Sequence, residues 1–430
     1  MHIGNGKLRV VHAVNGLIGG AGTTALKLHQ ALHDLNVDSH MVVFDIDLAV
    51  DPFVHGAKTS LEKLAARRSR TLDRIPLKLH LRRSRTRSLW SSNFAPNLTL
   101  RQVLALEPDI VHLHWIGAGF LPIRDFLHIQ RPIVWTMHDM WAFTGGCHYT
   151  GDCERFRESC GCCPVLGTTS SNDHSHVNWK RKQVSWQGLE MDLVCPSHWI
   201  AEECERSSLL SEKRRHVIYN GIDIESFRPH EKSAARAALG LPADEFLIAF
   251  GAYGAGDPRK GLPVLLDALR IFRTRIGNSK CRLIVFGQGV IDDSLFPFPT
   301  HKVGFIKDEN KLALLYSASD VFCAPSQQEV FGLTAVESLA CGTPVVAFKT
   351  GGLIDIIDHC CCGYLSEPFR ADSLADGLSF VYSRCLSADD KSIMHRESRV
   401  RAETLFDIRS IARQHLELYR SVLVPSHEQS

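Results

Sequence analysis

Glu329 and Glu337 have seven residues between them, and they flank a Phe-Gly pair that follows an apolar run. The run DVFCAPS predicts a buried strand that ends in a turn, and GLTAVESLACG predicts a helix that ends at Gly342. Glu329 would then lie in the loop at the carboxyl end of a strand, where open parallel sheets bind their ligands. Glu337 would lie within the helix. Two carboxylates so placed can hold the hydroxyl groups of a sugar and of a ribose.

The start of that helix predicts an anion site between the two carboxylates. The first backbone N–H groups of a helix lack acceptors inside it, and those of Gly332, Leu333 and Thr334 would point out toward a phosphate. The alternative is a surface Glu and a helix Glu spaced by chance, which the surrounding PS…E.FGL…E…ACGTPVVA pattern disfavours.

A cysteine-rich segment, residues 145–165, offers a second kind of chemistry. Four cysteines with ligand-like spacing predict a tetrahedral zinc site that stiffens a loop, because four thiolates close the metal's coordination shell. The alternative is a reduced loop, or a loop with adventitious disulfides. Cys162 is extra, and the run Cys360 to Cys362 is predicted to be turn residues without a role. The four candidate ligands are Cys147, Cys153, Cys160 and Cys163.

Two other motifs carry weaker signals. The GLIGGAG loop follows a strand and opens a helix, as a dinucleotide-binding loop does, but it lacks the G-x-G-x-x-G spacing. Asp45 and Asp47 in FDID match a metal-binding D-x-D, but an ordinary turn at the end of a strand explains them better. We therefore expect no catalytic metal.

Residues 67–90 form a strongly basic stretch. Nine Lys or Arg residues face a single Asp there, with Leu, Ile and Trp interleaved. The stretch is interpreted either as a solvated loop or as a surface for anionic lipid or a phosphate-bearing acceptor, with nucleic acid a distant third.

The whole chain has an ordinary globular composition. Its 430 residues favour two domains, and its formal net charge of +2 gives no argument for a nucleic-acid partner. The first residues are too short and too polar a segment for a signal peptide, and no apolar run reaches transmembrane length. We therefore expect a cytoplasmic protein, peripheral to the membrane if the basic stretch meets lipid.

Alternating strand and helix signals predict two parallel sheets covered by helices. The first half contains the runs LRVVHAV, HMVVFD, DIVHLHW, PIVWTMHD and DLVCPS. The second contains EFLIAFGAY, CRLIVFGQG, HKVGFI, DVFCAPS, TPVVAF and GYLSEP. The prediction is an α/β chain with two Rossmann-like domains at 1–220 and 221–404, followed by an amphipathic helix and tail at 405–430.

The segment from Glu329 to Glu337 resembles the Glu-x7-Glu signature of the retaining family 4 glycosyltransferases. The resemblance extends over nearly the whole chain. It includes the Gly loop NGLIGGAGTTALKLHQAL, the linker NGIDIESFRP and the diphosphate loop GDPRKGLPVLLDAL. It implies the GT-B fold, in which two Rossmann-like domains face each other across a cleft and the last helix crosses back to the first domain.

The resemblance also implies the role of each site residue. Glu329 would contact donor-sugar hydroxyls, Glu337 the ribose, and Lys260 with Arg259 the diphosphate. Gly20 would approach the donor phosphates, and His138 in TMHDMW would orient the donor sugar on the acceptor side. The nucleotide base is expected against the backbone near Gly304 and Ile306. The residues expected to bind the donor are Gly20, Arg259, Lys260, Gly304, Ile306, Glu329, Phe331, Gly332, Leu333, Thr334 and Glu337, and those expected to act in catalysis are His138, Glu329 and Lys260.

This sequence departs from the family pattern at one position. Family members commonly carry an Arg directly after the Gly that ends the strand before the diphosphate loop, and Ala252 stands there instead. Arg259 would have to substitute, or Lys260 and the helix terminus would hold the diphosphate. The Cys-rich segment after His138 is similar to that of transferases of exopolysaccharide and colanic-acid type.

The expected activity is retaining transfer of a hexose from a UDP- or GDP-sugar to a saccharide or lipid-linked acceptor in polysaccharide or glycan biosynthesis. A departing phosphate oxygen would take the acceptor proton. The alternatives are a phosphorylase or sugar-phosphate synthase with the same fold, and a non-catalytic zinc-bearing scaffold of a polysaccharide assembly complex.

Overall fold

The structure is a computed structural model that describes residues 7–44, 51–80, 89–254, 257–289 and 292–424. Its internal contacts divide the chain into two compact units. The N-terminal unit is Met1–Tyr219 together with Arg409–Ser430, and the C-terminal unit is Asn220–Ile408. The first boundary lies one residue before the predicted one. The return to the N-terminal unit lies four residues after the predicted start of the last segment.

Each unit contains one sheet, and every strand pairing that the structure records in these sheets is parallel. The strands of the N-terminal unit are β1 (Arg9–Ala13), β2 (Asp38–Val42), β3 (Val54–His55), β4 (Ile110–Leu113), β5 (Ile133–Thr136), β6 (Met191–Cys195) and β7 (Arg214–Val217). Those of the C-terminal unit are β8 (Phe246–Gly254), β9 (Cys281–Gln288), β10 (Thr300–Gly304), β11 (Val321–Ala324), β12 (Val345–Phe348) and β13 (Gly363–Ser366).

Helices connect most of these strands. In the N-terminal unit they are α1 (Gly20–Asp34), α2 (Ser60–Asp73), α3 (Ile75–Leu79), α4 (Thr99–Leu104), α5 (His174–Trp186) and α6 (His198–Glu205). In the C-terminal unit they are α7 (Lys232–Ala238), α8 (Leu262–Ile276), α9 (Glu309–Ala318), α10 (Leu333–Ala340), α11 (Leu353–Ile356), α12 (Ala371–Cys385) and α13 (Ala388–Phe406). The last helix, α14 (Ile408–Leu423), begins at the end of the C-terminal unit and belongs almost entirely to the N-terminal unit.

The strand orders are β3-β2-β1-β4-β5-β6-β7 and β10-β9-β8-β11-β12-β13. In both sheets the order reverses beside the first strand, between β1 and β4 and between β8 and β11. Loops after the two strands at such a point diverge and leave a crevice at the carboxyl ends of the strands. The prediction of two Rossmann-like parallel sheets is confirmed.

Apolar runs became strands where both faces of the sheet are covered. Every residue of β4, β5, β11 and β12 is buried, as expected for central parallel strands. The sequence analysis missed β3 and β7, which both lie at sheet edges. One is only two residues long and the other, RRHV, is polar and only partly buried, so neither has an apolar signature. No helix in the described residues has both the length and the apolarity needed to cross a membrane.

Candidate functional site

Lys260 and Glu329 meet at the reversal point of the C-terminal sheet. Lys260 ends a short 3-10 turn after β8, and Glu329 lies in the loop between β11 and α10. The Lys260 Nζ forms an ion pair with Glu329 Oε2, and the two side chains are 23% and 16% exposed. The two residues that the sequence analysis assigned to a diphosphate and to a sugar are therefore direct partners in this structure.

Glycines hold the two loops together. Gly261 has φ +73°, and a Cβ on it would lie 1.9 Å from the carbonyl oxygen of Pro325, at the end of β11. A Cβ on Gly351 would lie 2.1 Å from the carbonyl oxygen of Glu329, which also accepts the N–H of Gly352 at 2.9 Å. A side chain at Gly261 would push the Lys260 loop away from the end of β11, and one at Gly351 would push the loop after β12 away from Glu329.

The start of α10 offers unused donors beside this pair. Gly332 precedes the helix at φ +121° without a side-chain cap. Within the described residues, the N–H groups of Gly332, Leu333 and Thr334 have no hydrogen-bond acceptor. Phe331 is buried, and its ring packs edge-on against Phe406 in the same unit. The helix therefore presents partial positive charge next to Lys260.

Glu337 lies further along α10 and is held by a buried tyrosine. The Tyr316 hydroxyl donates to Glu337 Oε2 at 3.0 Å. Burial, followed by the charge of Glu337, raises the pKa of Tyr316 well above its ordinary value. Tyr316 is therefore a neutral donor that orients the carboxylate.

The remaining predicted donor residues lie at the carboxyl ends of the same sheet. Arg259 pairs with Asp257 Oδ2 at 2.6 Å, inside its own loop. Gly304 ends the edge strand β10 at φ +72°, and Ile306 follows it, separated from β8 by β9. The structure thus brings Lys260 and Glu329 into contact and leaves Gly304 and Ile306 at the sheet edge.

His138 lines a pocket in the N-terminal unit. It follows β5, is partly buried, and shares the pocket with His114, Trp115, Asp139 and His148. Burial lowers the pKa of His138 to about 4 against the opposing charge of Asp139, so the ring is neutral at pH 7. Gly20, the other residue predicted here, is the exposed first residue of α1 and follows the reversal strand β1.

Asp139, the neighbour of His138, centres a buried network that the sequence analysis missed. Asp139 Oδ2 accepts from Trp115 Nε1 at 2.6 Å and contacts His148 Nδ1 at 2.5 Å. His148 Nε2 lies 2.8 Å from Ser91 Oγ. Burial opposes ionisation of Asp139, but His148 and the donated hydrogen bonds hold its pKa below the ordinary value. The order Ser-His-Asp is that of a nucleophilic triad, yet Ser91 is fully buried and cannot attack a substrate, so we assign the network a structural role.

The four predicted zinc ligands line one cavity, next to Thr144, Gly145 and Trp90. Cys160 Sγ accepts the N–H of Gly145 at 3.1 Å, and Cys163 Sγ accepts N–H groups of Val165 and Leu166. Burial raises the pKa of Cys160 to about 12, and burial together with neighbouring thiols raises that of Cys147 well above its ordinary value. Cys162 has φ +45°, and its Sγ donates to Thr169 O instead.

These thiols fit a metal in their number and surroundings, but their sulfur atoms lie too far apart in this structure to share one ion. Among the described residues, the group whose ligand atoms all lie within 4.8 Å of one another is His12, His112 and His114, and no three of the cysteines meet that distance. The Zn–S bond of about 2.3 Å requires sulfurs closer than this, so the side chains would have to close around the ion.

Most of the described part of the basic stretch lies in α2 and α3 rather than in a loop, and together with the preceding residues 60–66 of α2 it presents a mixed surface. Along α2 and α3, exposed cationic side chains alternate with exposed Leu61, Leu64 and Ile75. The cations are Lys63, Arg67, Arg68, Arg74 and Lys78. Residues 81–88 of the stretch, and Asp45 and Asp47 of the rejected D-x-D, lie outside the described residues.

Two family models match consecutive parts of this chain. "Glycosyltransferase Family 4" matches residues 18–226, and "Glycosyl transferases group 1" matches residues 231–389. The first range contains His138, and the second contains Lys260, Glu329 and Glu337.

The chain belongs to the family 4 glycosyltransferases.

Relatives within this family include D-inositol 3-phosphate glycosyltransferases. The chain is 34% identical over 221 residues to the one from Saccharomonospora viridis, which covers 48% of this chain and 50% of that one. It is 30% identical over 305 residues to the one from Jonesia denitrificans, which covers 64% of each. The chain thus spans about half and about two thirds of the length of these two relatives.

Solved structures of glycosyltransferases share the GT-B fold with this family 4 chain. Sucrose-phosphate synthase from Thermosynechococcus elongatus has a TM-score of 0.67 at 19% identity, covering 97% of this chain and 99% of that one. Anabaena HepE in complex with UDP-glucose has a TM-score of 0.63 at 18% identity, covering 96% and 100%.

Proposed function

We propose that this chain is a retaining glycosyltransferase that moves a hexose from a UDP- or GDP-sugar to a saccharide or lipid-linked acceptor in polysaccharide or glycan biosynthesis. The observation that carries the proposal is the meeting of Lys260, Glu329 and the unsatisfied start of α10 at one reversal point. The UDP-glucose complex of the structurally similar HepE supports a nucleotide-sugar donor.

The C-terminal unit would bind the donor by exchanging partners. In this structure Lys260 and Glu329 neutralise each other. A nucleoside diphosphate sugar brings phosphates for Lys260 and hydroxyl groups for Glu329, so each side chain trades one partner for another. The released Lys260 and the N–H groups of Gly332 to Thr334 would then stabilise negative charge that grows on the leaving diphosphate. Arg259 joins them if it leaves Asp257.

The nucleoside end of the donor would lie along the carboxyl ends of the strands in the same sheet, from α10 toward the edge strand β10. Glu337, fixed by the Tyr316 hydroxyl, has the acceptor-only chemistry that ribose hydroxyls need. The base would lie against the backbone near Gly304 and Ile306, at the end of the edge strand. The predicted contact of Gly20 with donor phosphates stays a prediction.

His138 would orient the reacting sugar rather than act as a nucleophile. Its ring is neutral at pH 7 because burial lowers its pKa to about 4, so it offers one N–H donor and one bare nitrogen. A departing phosphate oxygen takes the acceptor's proton in this proposal, and no side chain has to serve as base. Retention of configuration comes from the family resemblance alone.

The donor class can be tested with the intact protein. Thermal unfolding would be measured with UDP, GDP, ADP and NAD at matched concentrations. A ligand at a hundred times its Kd adds about 2.7 kcal/mol to the free energy of unfolding, which gives a clear rise in Tm. We expect that rise with UDP or GDP, and with their sugars. A rise with NAD alone would contradict a transferase.

We also propose that Cys147, Cys153, Cys160 and Cys163 bind one structural zinc ion. The N–H groups donated to Cys160 and Cys163 are suited to stabilising thiolates, and binding would expel the thiol protons. Elemental analysis of protein purified without chelator should find one zinc per chain, and none in a Cys160→Ser/Cys163→Ser variant. Wild-type protein that contains no zinc and has the same Tm as the Cys160→Ser/Cys163→Ser variant would refute the site. Cys162→Ser is the matched control and should keep its zinc.

The mixed surface of α2 and α3 is proposed to rest on an anionic membrane. Exposed cations lie beside exposed apolar side chains there, so the surface offers both charge for anionic head groups and apolar area for the lipid interface. Co-sedimentation with phosphatidylglycerol vesicles should exceed that with phosphatidylcholine vesicles and should fall with salt. Equal sedimentation with both would contradict the surface, and an Arg67→Glu/Arg68→Glu variant should sediment less.

A further inference from the structure

Three imidazole rings form a continuous hydrogen-bonded row in the N-terminal unit. His12 lies in β1, His114 directly follows β4 and His138 follows β5, so the row crosses three neighbouring strands. His12 Nδ1 lies 3.0 Å from His114 Nε2, and His114 Nδ1 lies 3.0 Å from His138 Nε2. His12 and His114 are 0% and 2% exposed, while His138 lines the pocket. We call these three residues the histidine row.

The two ends of the row differ. His12 Nε2 is buried and has no hydrogen-bond partner among the described residues. His138 Nδ1 also makes no hydrogen bond to the described residues, but His138 is on the wall of the pocket, where a ligand or water can meet it. The row is therefore closed at His12 and open at His138.

All three rings are neutral at pH 7. Burial lowers the pKa of His12 and His114 well below the ordinary value, and lowers that of His138 to about 4. A neutral imidazole has one N–H and one bare nitrogen. Each ring that donates to the next must therefore accept from the one before, and the whole row has a single direction.

The closed end selects between the two directions. If the row ran from His138 to His12, a buried N–H would remain at His12 Nε2 without an acceptor. If it ran the other way, a bare nitrogen would remain there instead. For backbone groups, buried N–H groups without an acceptor are rarer than acceptors that lack a donor. By analogy with these backbone groups, we take the direction that leaves a bare nitrogen, rather than an N–H without an acceptor, at His12 Nε2.

We propose that the histidine row donates from His12 to His114 to His138, so that His138 presents its Nδ1–H to the pocket. His114 and His12 are then positioning residues, because they act on a ligand only through His138. In the transferase proposed above, on which this consequence rests, His138 would donate to an oxygen of the reacting sugar.

The surroundings of the row fit this assignment. A second proton, which would make a ring of the row positively charged, is disfavoured by His29 and His33 of α1 and by His415 of α14. Asp139 favours such a charge only on His138. His112 lies beside the row, but both its nitrogens are bonded, at 2.7 Å to the Tyr419 hydroxyl and at 2.8 Å to Thr136 Oγ1. A metal shared by His12, His112 and His114 would take one His112 nitrogen and displace its hydrogen bond, so we assign hydrogen bonds rather than a metal.

The direction can be read directly by NMR of the full chain labelled with ¹⁵N-histidine at pH 7.5. The imidazole nitrogen shifts distinguish an N–H from a bare nitrogen, and a His138→Gln spectrum assigns the ring. We expect His138 to carry its proton on Nδ1 and to be bare at Nε2. A proton on Nε2 of His138 in the wild-type protein would overturn the proposal.

Two variants of His114 that nearly match each other in size separate the effect of hydrogen-bond direction from that of side-chain packing. His114→Asn keeps an N–H donor near the position of His114 Nδ1, and we expect it to preserve the Nδ1–H form of His138. His114→Asp places an acceptor there, and we expect it to move the proton to Nε2 and to lower kcat about tenfold with little change in the KM for donor. The matched control is His40→Gln, a substitution at a part-buried histidine of β2 outside the row. It should change neither the tautomer of His138 nor kcat.

The outcomes remain distinguishable from those of the proposed function. If His138 stays in the Nδ1–H form in His114→Asp, the row does not set the tautomer and the inference is wrong. If the NMR results hold but the wild-type protein transfers no sugar, the proposed function fails and the tautomer assignment stands. If His114→Asp does not fold, the wild-type spectrum alone decides the direction.

Discussion

The two units both place polar side chains at the reversal point of their sheet, but those of the C-terminal unit are charged and those of the N-terminal unit are neutral. In the C-terminal unit, the reversal point between β8 and β11 holds full charges, Lys260 and Glu329, beside a helix start. In the N-terminal unit, the reversal point between β1 and β4 holds His12 and His114, both neutral and buried. The first suits a diphosphate, and the second suits a neutral polar ligand. The same sheet topology can therefore serve two kinds of ligand, and the side chains at the strand ends determine which kind is bound.

Acid should separate the two units most strongly. His12, His112, His114 and His415 of the N-terminal unit are buried and have lowered pKa values, about 4 for His415. Unfolded histidines titrate near 6.5, so below that pH the unfolded state binds protons that the folded state cannot. Each such group removes about 1.4 kcal/mol of stability per pH unit between pH 6.5 and its folded pKa.

The C-terminal unit should withstand the same acid better. Burial opposes ionisation of its Asp320, but Lys232, Lys391 and Arg236 hold the pKa of that carboxylate far below the ordinary value, so its contribution persists until much lower pH. His395 of this unit has the opposite tendency, because burial lowers its pKa to about 3. Hydrogen exchange at pH 7.5 and pH 5.5 should show a larger loss of protection in peptides of β1, β4 and α14 than in those of β8 and β11. Equal losses in both units would break the comparison.

Removing the cation of the charged site should nearly abolish transfer. Lys260→Ala removes the ammonium group beside the start of α10 while Arg259 keeps its pairing with Asp257, and we expect kcat to fall about 10²–10³-fold, as when a preorganised transition-state contact is lost. The measurement is sugar transfer, or donor hydrolysis, with the donor that the binding panel identifies. Lys280→Ala removes an exposed lysine that pairs with Asp244 in the same unit, and it should leave kcat unchanged. Near wild-type turnover in Lys260→Ala would show that the site lies elsewhere.

How much of this was predictable from the sequence depends on the distance between partners along the chain. The central strands were predicted because apolar runs such as VFCA and VVAF carry the signal locally. Lys260 and Glu329 were both named, but their ion pair depends on two loops 69 residues apart in sequence meeting at adjacent strands. The histidine row was not predicted, because it depends on the register that sets His12 beside His112. The H-x-H pattern of His112 and His114 was the available signal.

A smaller effect should test the nucleoside end of the charged site. Glu337→Gln keeps the size of the side chain but replaces one acceptor oxygen by a donor. We expect binding of the ribonucleoside diphosphate to weaken about tenfold, the cost of roughly one hydrogen bond to a charged group. Binding of the 2′-deoxy analogue should change less, as measured by calorimetry. Equal weakening of both would place the ribose hydroxyls elsewhere, and Tyr316→Phe should reproduce part of the loss.

The central claim is that Glu329 competes with the donor's diphosphate for Lys260, and calorimetric titration of Glu329→Gln with UDP or GDP tests it most directly. The variant frees Lys260 and makes the site more positive. We therefore predict that the nucleoside diphosphate binds about three- to tenfold more tightly, while sugar transfer falls about 10²-fold or more because the sugar hydroxyls lose their carboxylate. Unchanged or weaker diphosphate binding, together with retained transfer, would contradict the account.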